Sequence, residues 1–293
     1  MTNVLNRSRR VVSDKTEHPE GLGRPTLDDT VREGYIDIHC HCLPAVDDGP
    51  RTLEESLALC RALVEDGVTN VIATPHQLGR YDDSNEAAPI REKVAFLNKE
   101  LESNGIPLRI FPGGDVRVDE RACRLIKEDK ILTLADHGKH ILLELPHEIF
   151  IDIEPLVIEL SAMGVQTIVS HPERHPIIAR KPDLLLKWLD RSAHLQITCA
   201  SLLGDFGPAP QKAARHFLSR GWTSFVATDA HNLAGRRPRM KAAYEYIRSQ
   251  FGQAMARLVC IDNPLRVLQG EEVVFAHDVN ARMWMNERVR GRL

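Results

Sequence analysis

Two histidines, His39 and His41, stand one residue apart at the end of an apolar run that begins at Tyr35. On a β-strand alternate side chains point to the same side, so the two imidazoles are predicted to face one way. Neutral imidazole is the commonest protein ligand of divalent first-row metals. A lone His-x-His pair has a packing origin about as readily as a metal-binding one, so its meaning depends on what the rest of the chain places beside it.

Histidines and carboxylates end most of the other strand-like runs as well. The candidate ligands are His39, His41, Asp48, His76, Asp115, Glu144, His171, Asp229 and His231. Each alone is as readily a hydrogen-bonded polar residue near a strand end. Buried imidazoles and carboxylates are costly unless they are paired or bind a metal, so the whole set indicates two or three cations that share bridging carboxylates. Within one turn, Asp47 is an alternative to Asp48.

Seven apolar, β-branched runs position these residues, and a helical pattern or a long loop follows each of them. The runs are 35–41, 68–76, 108–115, 140–146, 165–174, 194–201 and 223–232. The first helix is predicted to open at the capping box Thr52-Leu53-Glu54-Glu55. Further helices are predicted near 89–104, 120–128, 153–163, 211–220 and 239–251. Apolar strands that alternate with helices predict an α/β fold with a parallel sheet buried on both faces. Polar residues at nearly every strand end favour a closed barrel, where those ends converge on one mouth.

Composition limits the class of protein. The 293 residues are 43% hydrophobic and 27% charged with a net charge of −3, which fits one large soluble domain and gives no sign of a nucleic-acid or anionic-membrane surface. Six cysteines lack the spacing of a disulfide framework, and no secretory or membrane-inserting segment is visible, so a cytoplasmic location is expected. Residues 1–33 are interpreted as a flexible leader, 34–270 as the main domain and 271–293 as a tail that docks on the body or on a partner. A homo-oligomer is left open.

Five motifs, in this order, resemble those of the polymerase-and-histidinol-phosphatase (PHP) superfamily of metal-dependent phosphoesterases. They are Asp37-Ile38-His39-Cys40-His41, Thr74-Pro75-His76, Leu143-Glu144-Leu145, Ser170-His171-Pro172-Glu173-Arg174 and Thr228-Asp229-Ala230-His231-Asn232. Val46-Asp47-Asp48-Gly49-Pro50, the His171 motif, and His231-Asn232 followed by Arg236 resemble the bacterial CpsB/YwqE-type protein-tyrosine phosphatases of capsule and exopolysaccharide systems. The resemblance spans about residues 34–270.

This resemblance implies a distorted seven-stranded (β/α)7 TIM-like barrel, the PHP fold, carrying two to three divalent metal ions, most often Mn²⁺, with Fe or Zn as alternatives. It implies one metal on His39, His41, Asp115 and Asp229, a second on Asp48, His76 and His231, and a third on Asp115, Glu144 and His171. Asp115 stands where the subfamily usually has glutamate. Its side chain is shorter, so either the backbone moves in or one metal is bound weakly.

The activity that the resemblance implies is hydrolysis of phosphotyrosine by a metal-activated hydroxide, with Arg174, Arg236 and Asp229 as catalytic residues. Arg174 and Arg236 are placed to grip phosphate oxygens bidentately, a geometry that lysine cannot reproduce. Arg237 is the alternative to Arg236, and structural salt bridging is the other role for either arginine. The implied substrate is a phosphotyrosine protein, an autophosphorylated bacterial tyrosine kinase that regulates capsule or exopolysaccharide synthesis. The alternatives are a phosphatase of a small phosphomonoester such as histidinol phosphate, and an inactive binding module with the same fold.

A cysteine thiolate in a Cys-x5-Arg loop is another route to tyrosine phosphatase chemistry, and Cys260 and Arg266 have that spacing. The intervening residues lack the glycines that aim backbone N–H groups at a phosphate, and Asp262 would repel both the thiolate and its substrate. The sequence therefore predicts that no thiol is the nucleophile. Chelation should abolish hydrolysis of a phenolic phosphate, and thiol alkylation should spare it.

Overall fold

The computed structural model describes residues 34–276, so the predicted leader 1–33 and most of the predicted tail, 277–293, lie outside the described residues. Within this part of the chain, nine strands pair in parallel. They are β1 (Tyr35–Cys40), β2 (Val68–Ala73), β3 (His76–Gln77), β4 (Arg109–Pro112), β5 (Asp115–Arg117), β6 (His140–Glu144), β7 (Gln166–Ser170), β8 (His194–Thr198) and β9 (Thr223–Ala227). One sheet has the order β1-β2-β4, and the other has the order β3-β5-β6-β7-β8-β9.

Helices follow the strands along the described chain. They are α1 (Leu53–Glu65), α2 (Ala87–Ser103), α3 (Ala122–Lys127), α4 (Glu154–Ala162), α5 (Pro176–Arg180), α6 (Leu186–Asp190), α7 (Cys199–Leu203), α8 (Pro208–Ser219), α9 (Met240–Phe251), α10 (Gln253–Arg257) and α11 (Asn263–Gln269). Shorter helical turns cover Leu134–Asp136, Pro172–Arg174, Pro182–Leu185 and Leu258–Asp262. Alternating helices and parallel strands confirm the predicted α/β fold. None of the helices between residues 34 and 276 combines the length and the apolar character of a membrane span.

Helix α1 begins at the predicted capping box. The Thr52 hydroxyl accepts a hydrogen bond from the backbone N–H of Glu55 at 3.3 Å, and the Glu55 carboxylate accepts one from the N–H of Arg51 at 2.7 Å. Two N–H groups at the start of the helix are thereby satisfied. The helix buries Leu57, Cys60 and other residues on its inner side, and the Ser56 hydroxyl donates to the carbonyl of Cys42, two residues after β1, at 2.5 Å.

The predicted count of seven strands is not confirmed, because two of the predicted runs are each divided. Run 68–76 breaks before His76 at Pro75, which has no N–H to give to a sheet. Run 108–115 breaks at Gly113 and Gly114, where an added Cβ would lie 2.6 Å from the Ile72 side chain or 2.1 Å from the Gln77 side chain. Only glycine permits so close an approach. The halves of each run belong to different sheets, so strand pairing does not confirm a closed barrel either.

Both faces of the strands are buried, as predicted. Leu142 and Ile168 pack with Phe225 in one hydrophobic cluster, whereas Leu143, adjacent in sequence to Leu142, packs with Leu160 of α4 in another. Because successive residues of a strand point to opposite faces, this alternation requires apolar material on each side. The carboxyl ends of the strands therefore project from a rigid, packed body.

Residues 271–276 pack at the other end of this body. The Asn263 side-chain amide donates to the carbonyl of Val274 at 2.8 Å, and its oxygen accepts from the Val274 N–H at 3.1 Å. Phe275 stacks on His194, at the start of β8, with the ring centroids 4.3 Å apart. The part of the predicted tail that the structure describes thus docks on the body.

Candidate active site and metal centre

The strand ends bring the candidate ligands together. His39 Nε2 lies 3.3 Å from His41 Nε2, 3.3 Å from Asp229 Oδ1 and 3.6 Å from Asp115 Oδ2. These atoms come from the ends of β1 and β9 and from the start of β5, which are distant in sequence. The two imidazoles of the His-x-His pair therefore face one side, and two carboxylates face them.

A second set of contacts surrounds His76. Its imidazole nitrogens lie 3.4 Å from Asp48 Oδ1, 3.3 Å from Asp115 Oδ2 and 3.7 Å from Glu144 Oε2. His231 Nε2 lies 3.2 Å from the same Asp48 oxygen, and His171 Nε2 lies 4.0 Å from Glu144 Oε1. The structure thus gathers all nine residues that the sequence nominated as ligands.

Two of these residues have a left-handed backbone. His171 has φ 32° directly after β7, and Asp229 has φ 51° shortly after β9. Such conformations are uncommon for residues with a Cβ and persist where the surrounding structure holds them, often at functional sites. The Asp229 N–H donates to the carbonyl of His39 at 2.8 Å, which fixes this turn against the end of β1.

Four groups of side chains place their ligand atoms within 4.8 Å of one another. They are His41-Asp48-His76-His231, His39-His41-Asp115, His76-Asp115-Glu144 and His39-His171-Asp229. The first contains all three ligands that the resemblance implies for one metal and adds His41. The second contains three of the four implied for another metal. In the third, His76 stands where His171 was implied, and His171 groups with His39 and Asp229.

Buried atoms without hydrogen-bond partners test whether this cluster fits metal ions. They include both carboxylate oxygens of Asp115, Oδ1 of Asp229 and Nε2 of His231. Buried polar atoms are nearly always satisfied, and an ionised carboxylate without a partner is especially costly. Imidazole nitrogen and carboxylate oxygen together suit Mn²⁺, Fe²⁺ or Zn²⁺. The residues therefore fit a centre of divalent cations.

The pKa values show how strongly the carboxylates attract positive charge. Burial would lower the pKa of His39, but the negative charges of Asp229 and Asp115 outweigh it and raise this pKa to about 9. Burial would also lower the pKa of His76, but the carboxylates of Asp115 and Asp48 beside its ring raise this pKa to about 11. Protonation of these two rings provides positive charge that balances the negative charge of the neighbouring carboxylates. Metal binding at such a site releases protons.

His41 is shifted in the opposite direction. Burial and, next, the neighbouring His231 lower its pKa to about 3, against the effect of Asp47. The imidazole is therefore neutral near pH 7, which is the form that binds a metal. Burial and, next, Asp115 raise the pKa of Glu144 to about 7.

Two side chains outside the cluster orient His39, in β1, and His41, directly after β1; these two are called the β1 histidines below. Asp47 Oδ2 lies 2.6 Å from His41 Nδ1, and the Asp47 carboxylate also accepts from the N–H groups of Gly49 and His76 at 3.0 and 3.1 Å. The Asp47 oxygens are thus engaged in these contacts, which leaves Asp48 the better placed ligand of the two. Partners on the outer nitrogen fix the tautomer and the orientation of a ligating histidine.

Gln196 has the corresponding position at His39, and the sequence analysis missed it. Its Oε1 lies 2.9 Å from His39 Nδ1, and both residues are fully buried. The available signal was a single amide within the apolar run of β8, since a buried polar side chain requires a partner. That signal gives no indication of which partner it has.

Both nominated arginines reach the cluster. Arg174 Nη1 and Arg236 Nη2 lie 2.6 and 2.5 Å from the same oxygen, Oδ2 of Asp229. Their side chains are 21% and 23% exposed, so the guanidinium groups meet both the buried centre and the opening above it. The salt bridge that was the alternative role is present, and it holds the two guanidinium groups side by side. Arg237 is exposed.

A cavity of about 390 Å³ opens over the cluster. Its lining includes the ligand candidates Asp48, His76, Glu144 and His171, the arginines Arg174 and Arg236, and four residues that the sequence analysis did not nominate: Arg80, Tyr81, Arg117 and His147. The Tyr81 ring stacks on His76 at 5.6 Å between centroids, and the His147 ring stacks on His171 at 6.0 Å. These rim residues follow no periodic pattern, so the sequence offered no signal for them.

The thiolate route has no support in the geometry. Cys260 is fully buried in the hydrophobic core, and burial raises the pKa of its thiol. Arg266 Nη1 lies 3.4 Å from the Glu271 carboxylate. All six cysteines are buried and free. A buried, neutral thiol is a poor nucleophile.

Known proteins share both the sequence and this architecture. Residues 35–269 match the family model for capsular polysaccharide synthesis, CpsB/CapC. The chain is 36% identical over 222 residues to the tyrosine-protein phosphatase YwqE of Bacillus subtilis, covering 75% of this chain and 86% of YwqE. It is 33% identical over 225 residues to the putative tyrosine-protein phosphatase CapC of Staphylococcus aureus, covering 73% and 87%. A solved structure from work on YwqE of Bacillus subtilis and CpsB of Streptococcus pneumoniae, described there as metal-dependent tyrosine phosphatases, matches with a TM-score of 0.78 at 32% identity, covering 82% of this chain and 96% of that one.

Proposed function

Because the chain belongs to the CpsB/CapC family of capsular polysaccharide synthesis, we propose that it is a metal-dependent protein-tyrosine phosphatase, a phosphoric monoester hydrolase. The observation that carries this proposal is a cluster of imidazoles and carboxylates beneath an open cavity, with Arg174 and Arg236 at its edge. Relatives that are named tyrosine-protein phosphatases support the same chemistry.

The proposed metal ligands are the nine residues nominated from the sequence: His39, His41, Asp48, His76, Asp115, Glu144, His171, Asp229 and His231. Two to three divalent ions held there, for which we propose Mn²⁺ with Fe or Zn as alternatives, would lower the pKa of water to about 7 and neutralise charge on the phosphate. The subfamily's glutamate is aspartate here, but Asp115 Oδ2 still lies 3.6 Å from His39 and 3.3 Å from His76. This reach favours an active enzyme over an inactive binding module.

The chain's own groups bind and orient the ester. Arg174 and Arg236 present forks of N–H donors that match phosphate oxygens, and Asp229 keeps the two forks adjacent. Asp229 Oδ1 faces the histidines while Oδ2 faces the arginines, so one carboxylate aligns both halves of the site. Asp47 and Gln196 hold the two β1 histidines in place. The rings of Tyr81 and His147, which stack on His76 and His171, flank the cavity where the ester would bind.

We further propose that the two sheets are parts of one distorted seven-stranded barrel. The support is a pair of hydrogen bonds, from the Asp229 N–H to the His39 carbonyl at 2.8 Å and from the His41 N–H to the Ala230 carbonyl at 2.9 Å, which join the end of β1 to the segment after β9. The phosphatase domain is proposed to span residues 34–270. A cytoplasmic location is proposed because all six cysteines are free.

The proposed substrate is a phosphotyrosine protein, namely an autophosphorylated bacterial tyrosine kinase that regulates capsule or exopolysaccharide synthesis. The family description, which concerns capsular polysaccharide synthesis, supports this choice. A phosphotyrosine side chain offers the dianionic phosphate that the two arginines match and a ring that the cavity walls can flank. In the described residues no observation favours histidinol phosphate over phosphotyrosine.

Phosphate release from a phosphotyrosine peptide tests the proposal on the full chain. We expect turnover that a chelator abolishes and added Mn²⁺ restores, with much slower release from histidinol phosphate. Asp229→Asn should lose at least about 100-fold in kcat/KM, because both the ligand set and the arginine pair depend on this carboxylate. Asp190→Asn, an exposed carboxylate on α6, is the matched control. Turnover that survives complete removal of divalent metal would overturn the proposal.

A further inference from the structure

Two arginines in the cavity take no part in the proposed hydrolysis. Arg80 lies in the loop after β3, and Arg117 is the last residue of β5. Their side chains are 69% and 30% exposed, which is more than the 21% and 23% of Arg174 and Arg236. They therefore lie toward the outer edge of the cavity, where a substrate's neighbouring residues would pass.

The loop that carries Arg80 is held in place. Leu78 and Gly79 have left-handed backbones, and the Tyr81 N–H donates to the Leu78 carbonyl at 3.1 Å. The tip of the loop is tied to the segment before α3 by an ion pair of 2.6 Å between Asp82 and Arg121. A charged head group on such a loop is presented at a fixed place without being buried.

The Arg80 head group rests on the wall of the cavity. Its guanidinium carbon lies 4.8 Å from the Tyr81 ring centroid, and Nη2 donates to the Tyr81 hydroxyl at 2.9 Å. Cation–π contact of this kind orients the guanidinium and leaves its remaining N–H groups available. Nη2 also lies 3.7 Å from Asp48 Oδ2, so Arg80 already faces an anion at the mouth.

Arg117 lies beside the same loop. A Cβ on Gly79 would be 3.3 Å from the Arg117 Cγ, so the loop backbone packs directly on the arginine stem. The Arg117 head group is 3.5 Å from Glu144 Oε2 and 3.7 Å from Glu148 Oε2. The two arginines thus flank one loop at the cavity mouth. Arg174 and Arg236 meet deeper in the site at Asp229, and Arg236 Nη1 also lies 3.6 Å from the Asp48 oxygen that Arg80 faces.

The charge balance of the lining favours an anion at this edge. The lining contains four arginines and three carboxylates, Asp48, Glu144 and Glu148. Asp48 and Glu144 are proposed metal ligands, so cations bound there would offset their negative charge. Among the carboxylates that line the described cavity, only Glu148 would then keep an unbalanced negative charge, and its side chain is 79% exposed and therefore well solvated. The loaded cavity then carries an excess of positive charge at its outer edge.

We propose that Arg80 and Arg117 form a second anion-binding subsite, which selects substrates with an acidic group close to the phosphotyrosine. The proposal rests on the proposed function and names the substrate class for that site. An extended peptide advances about 3.3 Å per residue, so a group one or two residues from the phosphotyrosine reaches the edge of a cavity of this size. Its ligand is a carboxylate of Asp or Glu, or the phosphate of a second phosphotyrosine.

The test compares three phosphotyrosine peptides that differ at the flanking positions, with Gln, Glu or a second phosphotyrosine. For the metal-loaded full chain we expect the acidic peptides to have the higher kcat/KM. In Arg80→Ala/Arg117→Ala the ratio of acidic to Gln peptide should fall by about tenfold, since each partly exposed charge contact is worth up to about fivefold. The Glu and phosphotyrosine peptides distinguish a carboxylate from a phosphate ligand. Arg80→Lys/Arg117→Lys should keep part of the preference, because the charge remains.

Arg124→Ala removes an exposed arginine of α3 that pairs with Glu128, and it serves as the matched control. Its peptide ratio should equal that of the parent chain. A parent chain that treats all three peptides alike, or a double alanine variant that keeps the acidic preference, overturns the subsite. If no peptide is turned over, the proposed hydrolysis fails, and fluorescence anisotropy of labelled peptides still decides on the subsite. Tighter binding of the acidic peptides to the parent than to the double variant then supports it, and equal binding refutes it.

Discussion

Replacement of Gln196 by alanine tests whether His39 binds a metal ion. Gln196 Oε1 lies 2.9 Å from His39 Nδ1, and no solvent reaches either side chain. Without the amide, a buried ring nitrogen loses its partner, which costs about 1–3 kcal/mol of folding free energy. The ring also becomes free to turn, and removal of such a partner typically lowers metal affinity by about 10–100-fold.

Two measurements separate these effects. Urea unfolding in chelator gives the folding cost alone, and titration of the metal-free protein with Mn²⁺ by calorimetry gives the change in affinity. Gln211→Ala, in which an amide of α8 outside the metal centre is removed, is the control. We expect Gln196→Ala to lose both stability and affinity, and the control to retain its affinity. A folded Gln196→Ala protein that binds Mn²⁺ as tightly as the parent would refute the assignment of His39 as a ligand.

Two further predictions follow from buried groups. Because burial raises the pKa of the thiols of Cys40 and Cys123 to about 11 and that of Cys260 further, treatment with iodoacetamide at pH 7 should leave phosphatase activity intact, and inactivation would reopen the thiolate route. Burial and the nearby His140 lower the pKa of His194 to about 3, below its unfolded value of about 6.5, so its contribution to stability is complete above pH 6.5 and is lost as the pH falls toward 3. When the pH falls from 7 to 5, the free energy of unfolding of the parent chain should therefore decrease by about 2 kcal/mol more than that of His194→Phe. Urea titrations at the two pH values measure both decreases, and equal decreases would contradict the prediction.

The sequence predicted which histidines and carboxylates lie together because the chemistry and the periodicity coincide. His39, His76, His171 and Asp229 each follow an apolar run directly or within two residues, and parallel strands bring their carboxyl ends to one side. Only local pattern was needed to nominate them. The grouping of these residues into individual metal sites depends on differences of less than an ångström between side chains, which spacing along the chain does not encode. For this reason the group that contains Asp115 and Glu144 includes His76, whereas the sequence had assigned His171 to it.

Partners that come from non-local contacts could not be predicted. Gln196 is distinguished only by the residue 157 positions away that it bonds. The break between β4 and β5 depends on Ile72 and Gln77 crowding Gly113 and Gly114, which is a property of packed layers. Arg80 and Arg117 line the same cavity because the backbone at Gly79 packs on the Arg117 stem. In each case the sequence supplied the residue, and tertiary packing determined its role.

The divided strand also accounts for the position of Asp115, the proposed ligand that stands where the resemblance implies a glutamate. Asp115 is the first residue of β5, directly after the two glycines, and it is the register partner of His76 in the neighbouring strand. Its N–H donates to the Pro75 carbonyl at 3.1 Å, which draws the β5 backbone toward β3. Gly113 and Gly114 permit that approach because neither carries a Cβ. Of the two outcomes expected for a shorter side chain, this geometry favours backbone movement, since the Asp115 carboxylate lies within 3.6 Å of both His39 and His76.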